Sequence, residues 1–98
     1  MSYPASEAVR LIEEYVTPFG TGRSQWYAGI AKDPDQRLFS DHNVDKNGHW
    51  RWVRCLNEAH ARAAEKVLLD AGYKGDTGGG DALTIHVYAY RITAATVE

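Results

Sequence analysis

Three stretches of this chain, residues 25–31, 50–56 and 83–92, alternate their side chains with a period of two. Each follows a segment whose apolar residues recur at spacings of three and four. A period of two sends neighbouring side chains to opposite faces of a strand, whereas spacings of three and four gather them on one stripe of a helix. The chain therefore reads α-β-α-β-α-β. With 98 residues it has the length of one domain, so the expectation is a single unit over 1–98, of α/β (α+β) class, with a small three-stranded sheet flanked by helices.

The first helix is predicted over 5–17, with Ala8, Leu11, Ile12, Tyr15 and Val16 on its stripe. Pro4 suits its first turn, while Pro18, Gly20 and Gly22 forbid continuation, making 1–22 an N-terminal helix and linker. In the first strand Trp26, Ala28 and Ile30 oppose Tyr27, Gly29 and Ala31. Trp26 is the core-facing choice. Gly29 admits either a close approach to the backbone or a bulge beneath a tightly packed helix. Asp33, Pro34 and Gln36 open a second helix over 34–42 as cap, first helical residue and capping-box partner.

In the second strand Trp50, Trp52, Arg54 and Leu56 oppose Arg51, Val53 and Cys55. Asn57 caps the third helix, whose apolar face is read as Ala63, Ala64, Val67, Leu68 and Ala71, with Glu58 and Arg62 paired one turn apart. Gly72 ends it. Residues 75–81 form a Gly-rich connection. Its Gly78-Gly79-Gly80 run lacks the following helix and Lys-Ser/Thr of a phosphate loop, so it reads as a mobile loop.

Composition narrows the function classes. A 44% hydrophobic and 24% charged chain is too apolar to be disordered, and without an 18-residue apolar run it spans no membrane as a helix. The start resembles no secretory signal and one cysteine makes no internal disulfide, so a reducing, cytoplasmic setting is expected. Net charge is −2, which gives the whole molecule no attraction for a polyanion. Residues 23–74 nevertheless carry nine basic against seven acidic groups. Any nucleic-acid site is local.

The run Trp26-Tyr-Ala-Gly-Ile-Ala-Lys-Asp-Pro-Asp-Gln-Arg-Leu-Phe-Ser-Asp-His42 resembles the second half of the GIY-YIG nuclease signature. Tyr27-Ala28-Gly29 resembles its Tyr-x-Gly element, Arg37 the arginine of the following helix, and His42 the histidine beyond it. Glu65 resembles the metal-binding glutamate of a later helix. The resemblance covers residues 26–70 and implies a three-stranded, mainly antiparallel sheet and phosphodiester cleavage with one Mg²⁺ or Mn²⁺ held by Glu65. It further implies that Arg37 steadies the phosphate and that Tyr27, with His42, handles the water's proton. The Gly-Ile-Tyr element has no counterpart before Tyr27. Val87-Tyr88-Ala89-Tyr90 resembles it in permuted order, which adds Tyr88 to the site and requires the last strand to lie beside that of Tyr27.

These residue types suit that chemistry. Charge grows on phosphate oxygens during in-line attack, so a guanidinium and a cation aimed at them lower the barrier, and a lone carboxylate suits Mg²⁺, which keeps most of its waters. Each residue also has a plainer reading: Arg37 as a solvated or stacked arginine, Tyr27 as a half-buried sheet residue, Glu65 as a surface carboxylate at the edge of its helix's apolar face. Trp50 and Trp52, beside Arg51 and Arg54, are either core or a base-stacking surface. Cys55 reads as a buried thiol. The expectation is a metal-dependent endonuclease. The alternative is a catalytically silent scaffold binding nucleic acid or a protein partner, of phage accessory or inhibitor type, and a third class is a homo-oligomeric structural protein.

Overall fold

A computed structural model describes residues 1–76 and 80–98. Its elements are α1 (Ala5–Val16), β1 (Trp26–Ala31), β2 (Trp50–Arg54), α2 (Glu58–Asp70) and β3 (His86–Arg91). The Cα radius of gyration is 12.0 Å, close to the roughly 13 Å of one packed domain of this length. The fold is α+β. No helix is long and apolar enough to cross a membrane among the described residues.

The sheet is antiparallel with strand order β1-β3-β2, so the last strand in sequence is central in space. Tyr27 faces Tyr90 and Gly29 faces Tyr88 across the β1–β3 ladder. Trp52 faces Tyr88 across the β2–β3 ladder. The neighbourhood of the Tyr27 and Tyr88 strands that the permuted reading requires is therefore present.

Period two divides the sheet into two unlike faces. On one, Trp26, Ala28, Val53, Val87 and Ala89 meet Ala8, Ile12 and Val16 of α1 and Ala61, Ala64 and Leu68 of α2, forming the main apolar core. On the other, Tyr88 and Tyr90 pack with Ala31, Leu38 and Val44, and half-buried Tyr27, Phe39, Trp50 and Trp52 rim them. Both tryptophans belong to this second cluster.

Several sequence-based boundaries change for local reasons. The first helix stops at Val16 and tightens into a 3-10 turn, Thr17–Phe19, where Pro18 removes a backbone donor and Gly20 turns left-handed at φ 71°. The segment expected as an ordinary helix over 34–42 is widened into a π-helical turn, Gln36–Asp41, in which His42 N–H donates to the carbonyl of Arg37, five residues back. Its cap is as expected: Asp33 Oδ1 accepts from Gln36 N–H at 3.1 Å. The buried face of α2 is Ala61, Ala64, Glu65 and Leu68, whereas Ala63 and Val67 face outward. Asn57 caps α2 through His60 N–H at 3.0 Å. β3 begins at His86, because Thr84 Oγ1 accepts from Asp81 N–H and holds 81–84 in a turn. Of the Gly78-Gly79-Gly80 run, Gly78 and Gly79 lie outside the described residues.

Cys55 is buried, with its thiol pushed up to about 11 by burial. Its backbone N–H donates to Ile85, and Tyr3 docks alongside in a parallel bridge, which closes that end of the β2 edge.

Candidate functional site

The polar face of the sheet is built around one glycine. A Cβ on Gly29 would stand 2.5 Å from the Tyr88 hydroxyl, so the missing side chain is the seat of the Tyr88 ring. Of the two readings of Gly29, the close approach holds, and the approaching group is a neighbouring strand's tyrosine. Gly75 plays a comparable role at the outer edge of β1, where a Cβ would collide with the Ala28 carbonyl and φ is 153°. That approach lets Lys74 pair with β1 through Ala28 N–H to Lys74 O at 2.8 Å.

Tyr88, 2% exposed, lies 2.7 Å from His42 Nε2 through its hydroxyl. His42 is 5% exposed, and its Nδ1 lies 2.6 Å from the Val97 carbonyl. A carbonyl only accepts, which places the imidazole proton on Nδ1 and leaves Nε2 to accept from Tyr88 O–H. Tyr90 closes the network, its hydroxyl 3.1 Å from His42 Nδ1. Tyr27 stacks on Tyr90 at 5.2 Å and packs 4.8 Å from the His42 ring. Its own hydroxyl makes no hydrogen bond among the described residues.

Burial sets the ionisation of these groups. It raises the pKa of Tyr27 and, more strongly, those of Tyr88 and Tyr90, so all three keep their protons at neutral pH. It lowers that of His42, against the supporting bond to Val97. Two charges from distant elements act on the same pair of hydroxyls: Arg37 lowers, and Glu65 raises, the pKa values of both Tyr27 and Tyr88. Arg37 also acts on His42.

Arg37 is half exposed on the π-helical turn and stands 3.8 Å from Asp41. It lines a cleft of about 440 Å³ at the end of β1, with Lys32, Gln36 and Thr84. Glu65 is a different case from the edge carboxylate the sequence suggests, being 3% exposed within the buried stripe of α2. It takes part in no hydrogen bond or ion pair among the described residues, and burial raises its pKa, opposed by Arg62. It borders a cleft of about 530 Å³ with Arg62, Lys66, Leu69 and Asp70. Tyr27, His42 and Tyr88 thus form one contact cluster. Arg37 and Glu65 both act on that cluster yet open on separate clefts.

Among the described residues no group of three or more His, Cys, Asp or Glu side chains converges on a metal position. Glu65 offers a hard cation a single carboxylate at the border of its cleft, and its oxygens are not among the buried ones left without a hydrogen bond. Sequence reasoning missed Tyr90, although its two-residue spacing from Tyr88 marks the same face. It also missed the Val97 carbonyl, for which a backbone acceptor leaves no signal. No protein-family model, curated protein or solved structure matches the chain.

Proposed function

We propose that the chain is a GIY-YIG-like, metal-dependent endonuclease that hydrolyses nucleic-acid phosphodiesters on the polar face of its sheet. The observation that carries this reading is that Tyr27 and Tyr88 both meet His42, at 4.8 Å between rings and 2.7 Å to Nε2, at the end of the turn that bears Arg37. Arg37 binds the phosphate oxygens through its guanidinium, whose several N–H donors match an oxyanion. Tyr27, half-buried and with an uncommitted hydroxyl, donates a hydrogen bond that orients the attacking water or a phosphate oxygen. His42 with Tyr88 forms the proton store. A proton taken at the Tyr88 oxygen sends the Tyr88 proton on to Nε2, and the resulting imidazolium keeps its Nδ1–H on Val97. Glu65 would hold Mg²⁺ or Mn²⁺, which would supply positive charge to stabilise the charge that builds on the phosphate.

One observation favours the second reading, a silent scaffold that binds nucleic acid or a protein partner. Both His42 nitrogens are already engaged, and the three tyrosines are pushed toward their neutral forms. Incubation of the protein with labelled branched, single- and double-stranded DNA plus Mg²⁺ or Mn²⁺ separates the two. Under the enzyme reading wild type cuts at least one substrate, and Arg37→Ala and Glu65→Gln do not. Binding without scission by wild type supports the scaffold.

A further inference from the structure

β2 lies at an edge of the sheet, and its backbone is only partly used. Cys55 N–H donates to Ile85 O at 2.7 Å and Arg91 N–H donates to His49 O at 2.9 Å, so the odd-numbered residues from 49 to 55 turn their polar groups toward β3. Directions alternate along an antiparallel strand, and Trp50, Trp52, Arg54 and Leu56 therefore turn theirs outward. Both ends of that outer row are taken. Trp50 N–H donates to the Tyr15 hydroxyl at 3.2 Å, Tyr3 N–H donates to Arg54 O at 2.9 Å, and Leu56 N–H donates to Tyr3 O at 3.0 Å.

Between those ends a short row stays open. Trp50 C=O, Trp52 N–H, Trp52 C=O and Arg54 N–H have no partner among the described residues. Met1, which precedes the Tyr3 bridge, is 96% exposed and does not continue it along β2. Donors and acceptors left in line on an edge strand are a template for one more strand. The side chains beside them carry charge. Arg51 and Arg54 are exposed on opposite faces of β2, and neither guanidinium has a hydrogen bond or ion pair among the described residues.

We propose that the open stretch of β2 between Tyr15 and Tyr3 binds a short, extended peptide segment with acidic side chains, which adds a fourth strand to the sheet. The arginines decide the occupant. A second copy paired antiparallel about Trp52 would set the two Arg51 guanidiniums diagonally across the ladder and drive the chain before its β2 into the place beside Cys55 that Tyr3 holds. An acidic segment answers both charges instead. Because Arg51 and Arg54 stand three positions apart, on opposite faces, the segment that fits carries its two acids at the same spacing. This edge lies across the sheet from the strand of Tyr27, so the inference is independent of the endonuclease reading.

The test is titration of the intact ¹⁵N-labelled protein with the blocked peptide Glu-Thr-Val-Glu-Val, which sets its acids opposite Arg54 and Arg51 in an antiparallel ladder, and with the analogue Lys-Thr-Val-Lys-Val. At millimolar acidic peptide the Trp52 and Arg54 amides are expected to shift saturably and to exchange more slowly. The Arg51 and Val53 amides, already bonded to β3, are expected to keep their exchange rates. The double variant Arg51→Ala with Arg54→Ala, altered only at exposed side chains, is expected to bind the acidic peptide roughly 3- to 10-fold more weakly, and the lysine peptide is expected to bind wild type no better than that. Unmoved Trp52 and Arg54 amides, equal affinity for the two peptides, or an unchanged affinity in the double variant overturns the proposal. Slowed exchange of these two amides in the peptide-free protein as its concentration rises assigns the edge to a second copy, which also overturns it. Scission of DNA by the protein, or its failure, bears on neither outcome.

Discussion

The two faces of this sheet are made from the same three strands, yet they obey different rules. The face against α1 and α2 is closed by Ala, Val, Ile and Leu with Trp26, Cys55 and Tyr73, and it asks chiefly for volume and apolarity. The opposite face is closed by tyrosines, a histidine and a π-helical turn, with Val97 bonded to the histidine. Substitutions on the first should be read in stability. On the second, hydrogen-bond geometry and ionisation should change more than stability does.

Leu68→Ala and Ile12→Ala, both at fully buried positions, are expected to destabilise by about 2–5 kcal/mol in denaturant unfolding. A loss below about 1 kcal/mol in both would mean that the apolar face is not the main source of stability. Gly29→Ala crosses the boundary between the faces, since its methyl group displaces the Tyr88 ring. A cost of about 1–3 kcal/mol is expected, with His42 imidazole resonances shifted as the bond from Tyr88 is lost. Wild-type His42 resonances in that variant would show that the ring is seated otherwise. Tyr88→Phe keeps the volume and removes the donor to Nε2, for an expected loss of about 1 kcal/mol by thermal or chemical unfolding.

Glu65→Gln has the opposite sign. Burial raises the folded-state pKa of Glu65 above its unfolded value, so its ionisation favours the unfolded chain. The penalty is absent below the unfolded glutamate pKa, grows as pH rises through the raised folded value, and then levels off. The glutamine variant should match wild type in acid and exceed it at neutral pH; equal stability across the range would show that the carboxylate is well solvated. Arg37→Ala, at a half-exposed side chain, should change stability by no more than about 0.5 kcal/mol.

Much of the apolar face was legible in the sequence. The stripe of α1, the inward Trp26 and Ala28, and the caps at Asp33 and Asn57 follow from spacing and side-chain chemistry that act over a few residues. Of the candidate site the sequence names Tyr27, Arg37, His42, Glu65 and Tyr88 through a family resemblance; the fold sets Tyr27 beside His42 and Tyr88 on the polar face and leaves Glu65 on α2. What escaped depends on distance along the chain. A six-residue π-helical turn and an ordinary helix share nearly the same short-range pattern, so Leu38 and Phe39 do not distinguish them. The buried face of α2 was displaced toward Ala63 and Val67 because a pattern of apolar residues counts Glu65 as solvent-facing, and that error hid the carboxylate's burial. The His42 ring meets the Val97 carbonyl, and the Asn43 side-chain amide the Ala95 carbonyl, across more than fifty residues of chain, which no local period encodes.

Glu65, in the buried stripe of α2, is a carboxylate with no hydrogen bond or ion pair among the described residues, and it is the residue proposed to hold the metal. The most direct measurement is therefore the unfolding free energy of wild type and Glu65→Gln as Mn²⁺ is raised at neutral pH. Wild type should gain stability with the logarithm of concentration, about 2.7 kcal/mol at a hundredfold excess over Kd, while the glutamine variant stays flat. Equal gains in the two proteins, or none in wild type, would contradict the assignment of Glu65 as the metal ligand.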